Sequence, residues 1–322
     1  MKAKSLRIVF MGTPEFAVES LDALVSQNYN VVGVVTVPDK PAGRGQQVTE
    51  SAVKKYAVAK GLPVLQPEKL KDPLFIEQLK AWKADLQIVV AFRMLPEIVW
   101  TMPLLGTFNL HGSLLPNYRG AAPLNWAIIN GDKETGVTTF MLKHEIDTGN
   151  ILFQESIPIE DDDNVEIIHD KLMVIGAELV LKTVDAIADG KIDPIPQEAF
   201  GADVKPAPKI FKDDCRIDWT SEGEKIRNKI RGLSPYPGAW TTLVPKDDGG
   251  PVLTMKIFET KFTSRKNLFE PGTIIALDKT AILITCQDGV IEVESLQLAG
   301  KKRMKKDDFL RGFSSLGSYK AV

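Results

Sequence analysis

Leu6-Arg-Ile-Val-Phe-Met-Gly-Thr-Pro-Glu15 reads as a strand, a tight turn and the first residues of a helix. The apolar run stops at Gly12, Thr13 is the expected N-cap and Pro14 the first helical residue, and Phe16, Leu21 and Leu24 follow at helical spacing. Two further runs, Val31-Val-Gly-Val-Val-Thr-Val37 and Leu86-Gln-Ile-Val-Val-Ala91, alternate with helical patterns around residues 51–60 and 73–83. Uninterrupted runs of this kind mark strands buried on both faces of a parallel sheet. They predict an α/β, Rossmann-like, doubly wound N-terminal domain whose ligand lies beyond the carboxyl ends of its strands. The turn at Gly12 lacks G-x-G-x-x-G, and no Gly-rich loop ends in GK[ST], which argues against a dinucleotide or P-loop nucleotide ligand.

Past this region the pattern changes. Residues 188–208 carry four prolines and little apolar periodicity, the signature of an extended connection. Beyond it, after a short helix at 222–231, five short strand-like runs at 239–244, 253–258, 273–277, 281–285 and 290–294 are separated by turn signals such as Asp288-Gly289. That spacing predicts a small OB-like β-barrel. The expected organisation is a catalytic domain over 1–189, a linker over 190–208 and a barrel over 209–322.

The 322 residues carry a net charge of −2, which by itself speaks against a nucleic-acid partner. Divided at the Pro-rich stretch, the balance separates. Residues 205–322 hold 21 Lys and Arg against 15 Asp and Glu, net +6, leaving 19 against 27, net −8, for residues 1–204. The only cysteines, Cys215 and Cys286, exclude a disulfide scaffold, and no Cys/His pair has metal-ligand spacing. The apolar run at Leu6–Met11 is interrupted by Arg7 and is too short for a membrane span or a secretory signal, so a cytoplasmic protein without membrane contact is expected.

The chemistry is concentrated in Gly106-Thr-Phe-Asn-Leu-His-Gly-Ser-Leu-Leu-Pro-Asn-Tyr-Arg-Gly-Ala-Ala-Pro123. If 106–111 is a strand, its period of two sets Asn109 and His111 on one face at the carboxyl end. Two polar side chains leaving an apolar segment in the same direction are costly to bury without partners. An amide can donate to a developing oxyanion and an imidazole can move a proton near neutral pH, a pairing suited to acyl transfer. Asp147, in Asp147-Thr-Gly149 between two strand-like segments, is by composition a turn residue. As a functional carboxylate it would orient His111 and support its charge. His144 and His169 lack such company, and His169, in an amphipathic helical stretch, is read as structural.

Asn109-Leu-His111-Gly-Ser113-Leu-Leu-Pro116, Tyr118-Arg-Gly-Ala-Ala-Pro123 and Asp147-Thr-Gly149 together resemble the signature of the formyltransferases that use 10-formyltetrahydrofolate. The resemblance runs from Phe10-Met-Gly-Thr-Pro14 through Pro38-Asp-Lys-Pro-Ala-Gly-Arg-Gly45 to Ile217-Asp-Trp219 and Ser234-Pro-Tyr-Pro-Gly238. It implies transfer of a formyl group from N10 of the folate to the α-amino group of methionine esterified to initiator tRNA. Asn109, His111 and Asp147 would be catalytic, with no metal required. Ser113, Leu114, Leu115 and Pro116 would line the folate, as would Arg93, where family members often carry Tyr-Gly in place of Phe92-Arg93.

The tRNA has local support in the sequence. Residues 38–55 form a Gly/Pro-containing basic stretch with Lys40, Arg44 and Lys54, able to approach phosphate closely. Lys301-Lys302-Arg303-Met-Lys-Lys306 is a second basic cluster, on the positively charged barrel. A monomer is the expected state. Three other readings compete: a formyltransferase for a small amine such as a nucleotide sugar or glycinamide ribonucleotide, a folate-dependent hydrolase using the same three residues, and a non-catalytic RNA-binding module.

Overall fold

A computed structural model describes residues 2–42, 47–145, 147–201, 204–247, 250–265, 269–277, 280–313 and 315–322 of the chain. Its elements begin with β1 (Ile8–Gly12), α1 (Glu15–Ser26), β2 (Val31–Val35), β3 (Lys40–Ala42), β4 (Gln47–Thr49), α2 (Ala52–Ala59), β5 (Val64–Leu65), α3 (Pro73–Ala81) and β6 (Leu86–Val90). Then come α4 (Glu97–Trp100), β7 (Thr107–His111), β8 (Arg119–Gly120), α5 (Pro123–Ile129), β9 (Glu134–Met141), β10 (Ile151–Pro158), α6 (Val165–Asp189) and β11 (Pro206–Ala207). The remainder is α7 (Gly223–Gly232), β12 (Ala239–Pro245), β13 (Leu253–Ser264), β14 (Ile274–Leu277), β15 (Ala281–Thr285), β16 (Gly289–Leu298), β17 (Met304–Lys305), α8 (Lys306–Gly312) and β18 (Tyr319–Ala321).

The chain falls into two compact units, one of Met1–Pro123, Thr135–Ile157 and His169–Ala207, the other of Leu124–Glu134, Pro158–Ile168 and Pro208–Val322. The first is built on a seven-stranded sheet in the order β10-β9-β7-β6-β1-β2-β5. Its strands β5, β2, β1, β6 and β7 run parallel, while β9 lies antiparallel to β7. Chain order reverses between β1 and β6, the switch point at which open α/β sheets place ligands. Every residue of β1 and β6 is buried, as their unbroken apolar runs require.

At the end of β1 the chain turns so tightly that a Cβ on Gly12 would stand 2.7 Å from that of Ala17. The helix after it starts one residue later than the sequence predicts. Pro14 is extended (φ −81°, ψ 178°) and takes the N-cap position of α1 with no side-chain capping bond, so Thr13 is not the cap. At α2 the cap is regular: Ser51 Oγ accepts from the Lys54 amide at 3.1 Å.

The second unit is an antiparallel sheet in the order β14-β15-β16-β13-β12-β18, with β17 beside β16. A bridge between Thr273 and Lys320, at its two outer strands, almost closes it into a barrel. Its core joins Trp219, Ile226 and Ile230 to Leu243, Met255, Ile257, Ile284, Ile291 and Val293. The buried indole of Trp219 donates to Thr241 Oγ1 at 2.9 Å, which satisfies the one polar atom of that side chain.

Candidate active site

The site grows from β7, Thr-Phe-Asn-Leu-His. Phe108 and Leu110 alternate with Asn109 and His111, so two fully apolar side chains fill one face and two polar ones the other. The register opposes Asn109 to Phe140 and His111 to Thr138 of β9.

His111 is 7% exposed. Its Nε2 lies 2.8 Å from the Tyr118 carbonyl, and because a carbonyl only accepts, Nε2–H is the donor. That bond fixes the tautomer and leaves Nδ1 as the other polar edge, 4.0 Å from Asp147 Oδ2, in ion-pair range but beyond hydrogen-bond distance. The Phe140 ring stands edge-on at 6.5 Å. Asp147 Oδ2 accepts the Gly120 amide at 3.1 Å. The half-buried Asn109 amide has no hydrogen-bond partner among the described residues, so its donors are free for a ligand.

Two residues that hold this arrangement are non-glycine residues in the left-handed region, Tyr118 (φ 62°) and Asp147 (φ 55°). Such conformations cost on the order of 1–3 kcal/mol each and gather at functional sites.

Ser113–Pro116 forms the next turn of chain. Thr138 Oγ1 donates to Ser113 O at 2.6 Å and accepts from the Leu115 amide at 3.1 Å, while Gln154 Nε2 donates to Leu115 O at 2.8 Å. Ser113 Oγ donates to Asn117 O at 2.7 Å. The backbone of Ser113 and Leu115 is therefore anchored on β9 and β10, Leu115 and Pro116 are buried, and Leu114 is half-buried. Arg93 donates from Nη1 to Glu68 O at 2.8 Å and from Nη2 to Pro67 O, and stacks on Phe92 at 5.5 Å. Its Nε is buried without a partner among the described residues, and burial pushes its pKa down.

A family model for formyl transferases matches residues 6–184 and one for the formyl transferase C-terminal domain matches residues 209–314. The chain is 59% identical over 322 residues to a methionyl-tRNA formyltransferase of Bacteroides fragilis, covering 99% of each. To that of Parabacteroides distasonis it is 60% identical over 323 residues, again 99% of each. The chain belongs to the formyl transferase family.

Solved structures share the fold of this formyl transferase. HypX of Aquifex aeolicus in complex with tetrahydrofolic acid superposes with a TM-score of 0.62 at 19% identity, over 95% of this chain and 47% of that longer one. An N-formyltransferase of Helicobacter canadensis, solved with folinic acid and dTDP-3-aminofucose, gives 0.60 at 20% identity, over 89% and 98%.

The basic residues singled out for tRNA are in different situations in this formyl transferase. Lys40 is exposed on β3, and Arg44 lies outside the described residues. Lys54 is held by Asp39 and, at 2.8 Å, by Glu50. The Lys54 hydrogen bond lowers the Asp39 pKa, and Asp39 raises that of Lys54. In the barrel unit Lys301 and Lys302 are exposed. Arg303 is exposed too, but donates to Glu259 Oε1 at 2.6 Å and to Ser295 Oγ at 2.9 Å and lies over the Phe258 ring at 4.5 Å. Lys305 shares Glu259, and Lys306 pairs with Glu292 and Glu294.

One residue at the site went unread in the sequence. Gln197, fully buried, lies in the Pro-rich stretch and donates to the carbonyls of Asp147 and Gly149, each at 2.8 Å. That stretch also pairs through Pro206–Ala207 with Arg119–Gly120. His169, on α6, faces Asp170 at 3.0 Å and the Phe16 ring of α1 edge-on at 5.3 Å.

Proposed function

We propose that the protein formylates the α-amino group of methionine esterified to initiator tRNA, with 10-formyltetrahydrofolate as donor. The observation that carries this reading is 59% identity to a methionyl-tRNA formyltransferase across 99% of both chains. The buried His111–Asp147 pair beside a free Asn109 amide supplies the matching chemistry.

When bound, the folate supplies a formyl group on N10; Ser113, Leu114, Leu115, Pro116 and Arg93 would hold it. An α-amino group has a pKa near roughly 8, and esterification of its carboxyl lowers it further, so the nucleophile needs little activation. Catalysis then rests on stabilising negative charge as it develops on the formyl oxygen. Asn109 donates its amide N–H to that oxygen and His111 donates from Nδ1, since its Nε2–H is engaged by Tyr118. Asp147 faces the same nitrogen, where its charge supports an imidazolium and assists the proton's passage from amine to leaving nitrogen.

In this proposal residues 1–189 form the catalytic domain, 190–208 the connection and 209–322 the tRNA-binding barrel of a cytoplasmic monomer. Lys40, Arg44, Lys301 and Lys302 contact tRNA phosphates, with Lys54 and Arg303 shaping the two surfaces from within their carboxylate pairs. The net charge of +6 over residues 205–322 supports that assignment.

The test is an assay with 10-formyltetrahydrofolate and, in parallel, methionyl initiator tRNA, methionyl elongator tRNA and glycinamide ribonucleotide. Formylmethionyl initiator tRNA is the expected product. Faster formylation of the ribonucleotide, or release of formate independent of tRNA, would overturn the proposal.

A further inference from the structure

Gln197 makes four hydrogen bonds and exposes none of its surface. Its Oε1 accepts from Arg119 Nε at 2.9 Å and from Nη2 at 2.6 Å. Its Nε2 donates to Asp147 O and to Gly149 O, both at 2.8 Å. The amide orientation is dictated by its partners: a guanidinium only donates and two carbonyls only accept, so the reversed amide would face four mismatched contacts. No other neutral side chain of this length offers two acceptor lone pairs at one end and two donors at the other.

The carbonyls it holds belong to the turn that carries the Asp147 carboxylate. That turn runs through a left-handed Asp147, a conformation the surroundings must enforce. A Cβ on Gly149 would collide with the Met141 carbonyl, so the return of the chain past β9 is fixed as well. The Asp147 side chain is oriented separately, by the Gly120 amide, and Gly120 follows Arg119 directly. Arg119 thus links the clamp on the backbone of the turn to the strand that holds its carboxylate. Gln197 reaches this place because Ile195 bridges Ile151 through two backbone bonds of 2.8 and 2.9 Å.

We infer that Gln197 is a positioning residue for formyl transfer, holding the 147–149 turn so that Asp147 stands opposite His111 Nδ1. The inference rests on the catalytic reading given above. It predicts a defect in turnover without a defect in binding, because among the described residues the Gln197 side chain hydrogen-bonds only the turn and Arg119.

The discriminating variant is Gln197→Glu, which keeps the size and the Arg119 contact but turns an acceptor oxygen toward two carbonyls. With methionyl initiator tRNA and 10-formyltetrahydrofolate its kcat is expected to fall about 10²-fold, the scale of loss for a misplaced catalytic group. KM for both substrates should stay within about threefold of the parent. Gln197→Ala should behave alike, and combined with Asp147→Ala it should lose no more than about threefold beyond Asp147→Ala alone, as expected when one residue acts through the other. Should Gln197→Ala fail to fold, Gln197→Glu carries the test. An inactive Asp147→Ala beside a normal Gln197→Glu, or losses that simply multiply, overturns the inference alone. An Asp147→Ala enzyme with full activity removes the catalytic reading beneath it.

Discussion

Replacing Asp147 by Asn removes one charge and almost nothing else. The amide oxygen can still accept the Gly120 N–H that Asp147 Oδ2 now takes at 3.1 Å, and the Gln197 bonds go to backbone carbonyls that the substitution leaves untouched. What disappears is the attraction between a carboxylate and the ring it faces at 4.0 Å, with side chains only 13% and 8% exposed. At an effective dielectric constant near 20, two unit charges about 4 Å apart attract by about 4 kcal/mol. Since about 1.4 kcal/mol is a factor of ten, the loss of turnover is bounded near 10³-fold, and a fall of about 10²- to 10³-fold in kcat is expected. Thermal unfolding should shift by less than about 2 °C, because about 1 kcal/mol moves a domain of this size by only roughly 2–4 °C and the hydrogen bond is retained. The assay is steady-state formylation of methionyl initiator tRNA, with unfolding followed on the same preparation. A kcat within about fivefold of the parent would refute the assignment of Asp147 as the partner of a charged His111.

Asn109→Ala should lower kcat/KM about 10²- to 10³-fold, as for other oxyanion donors, with an unchanged thermal midpoint because the amide holds no partner among the described residues; a midpoint several degrees lower would make it structural. Lys301→Ala and Lys302→Ala should each weaken tRNA binding and reduce the salt dependence, log Kobs against log salt, by about one unit of slope, whereas an unaltered slope would remove them from the interface. The Thr220 hydroxyl and amide, with a smaller part from Ser221, hold Asp218 below the usual carboxylate range. A depressed folded value means a contribution to stability that is present above the unfolded pKa and lost as pH falls through the folded one. Asp218→Asn should therefore flatten the acid side of a plot of thermal midpoint against pH below about pH 4, and an acid side as steep as the parent's would contradict this.

The parallel sheet was legible because its strands are buried on both faces, leaving Ile8–Met11, Val31–Val35 and Leu86–Val90 almost wholly apolar. Asn109 and His111 were legible by the same rule in reverse, as polar interruptions of such a run. Gln197 was not: it stands between prolines with no periodicity around it, and its burial depends on Arg119, 78 residues away. Nor could the sequence separate Lys301 and Lys302 from Arg303, whose partner Glu259 lies 44 residues earlier. Asp147 was legible as a turn residue, but the distance that makes it chemically interesting arises only when β7 and β9 pair. The misplaced cap at Thr13 has a local cause, since a proline with extended ψ delays the first helical residue to Glu15.

The bond from His111 Nε2–H to the Tyr118 carbonyl limits the routes open to a proton. A relay histidine takes a proton on one nitrogen while the other passes charge onward, but here one nitrogen is committed to the main chain throughout. In the proposed reaction the imidazole is a single-port device, with Nδ1 alone open to donate to the substrate. That port is filled by the formyl oxygen, so the amine's proton travels to the departing nitrogen by way of Asp147 and not through the ring. Turnover measured across mixtures of light and heavy water should then vary linearly with deuterium content, with one proton in flight at each barrier.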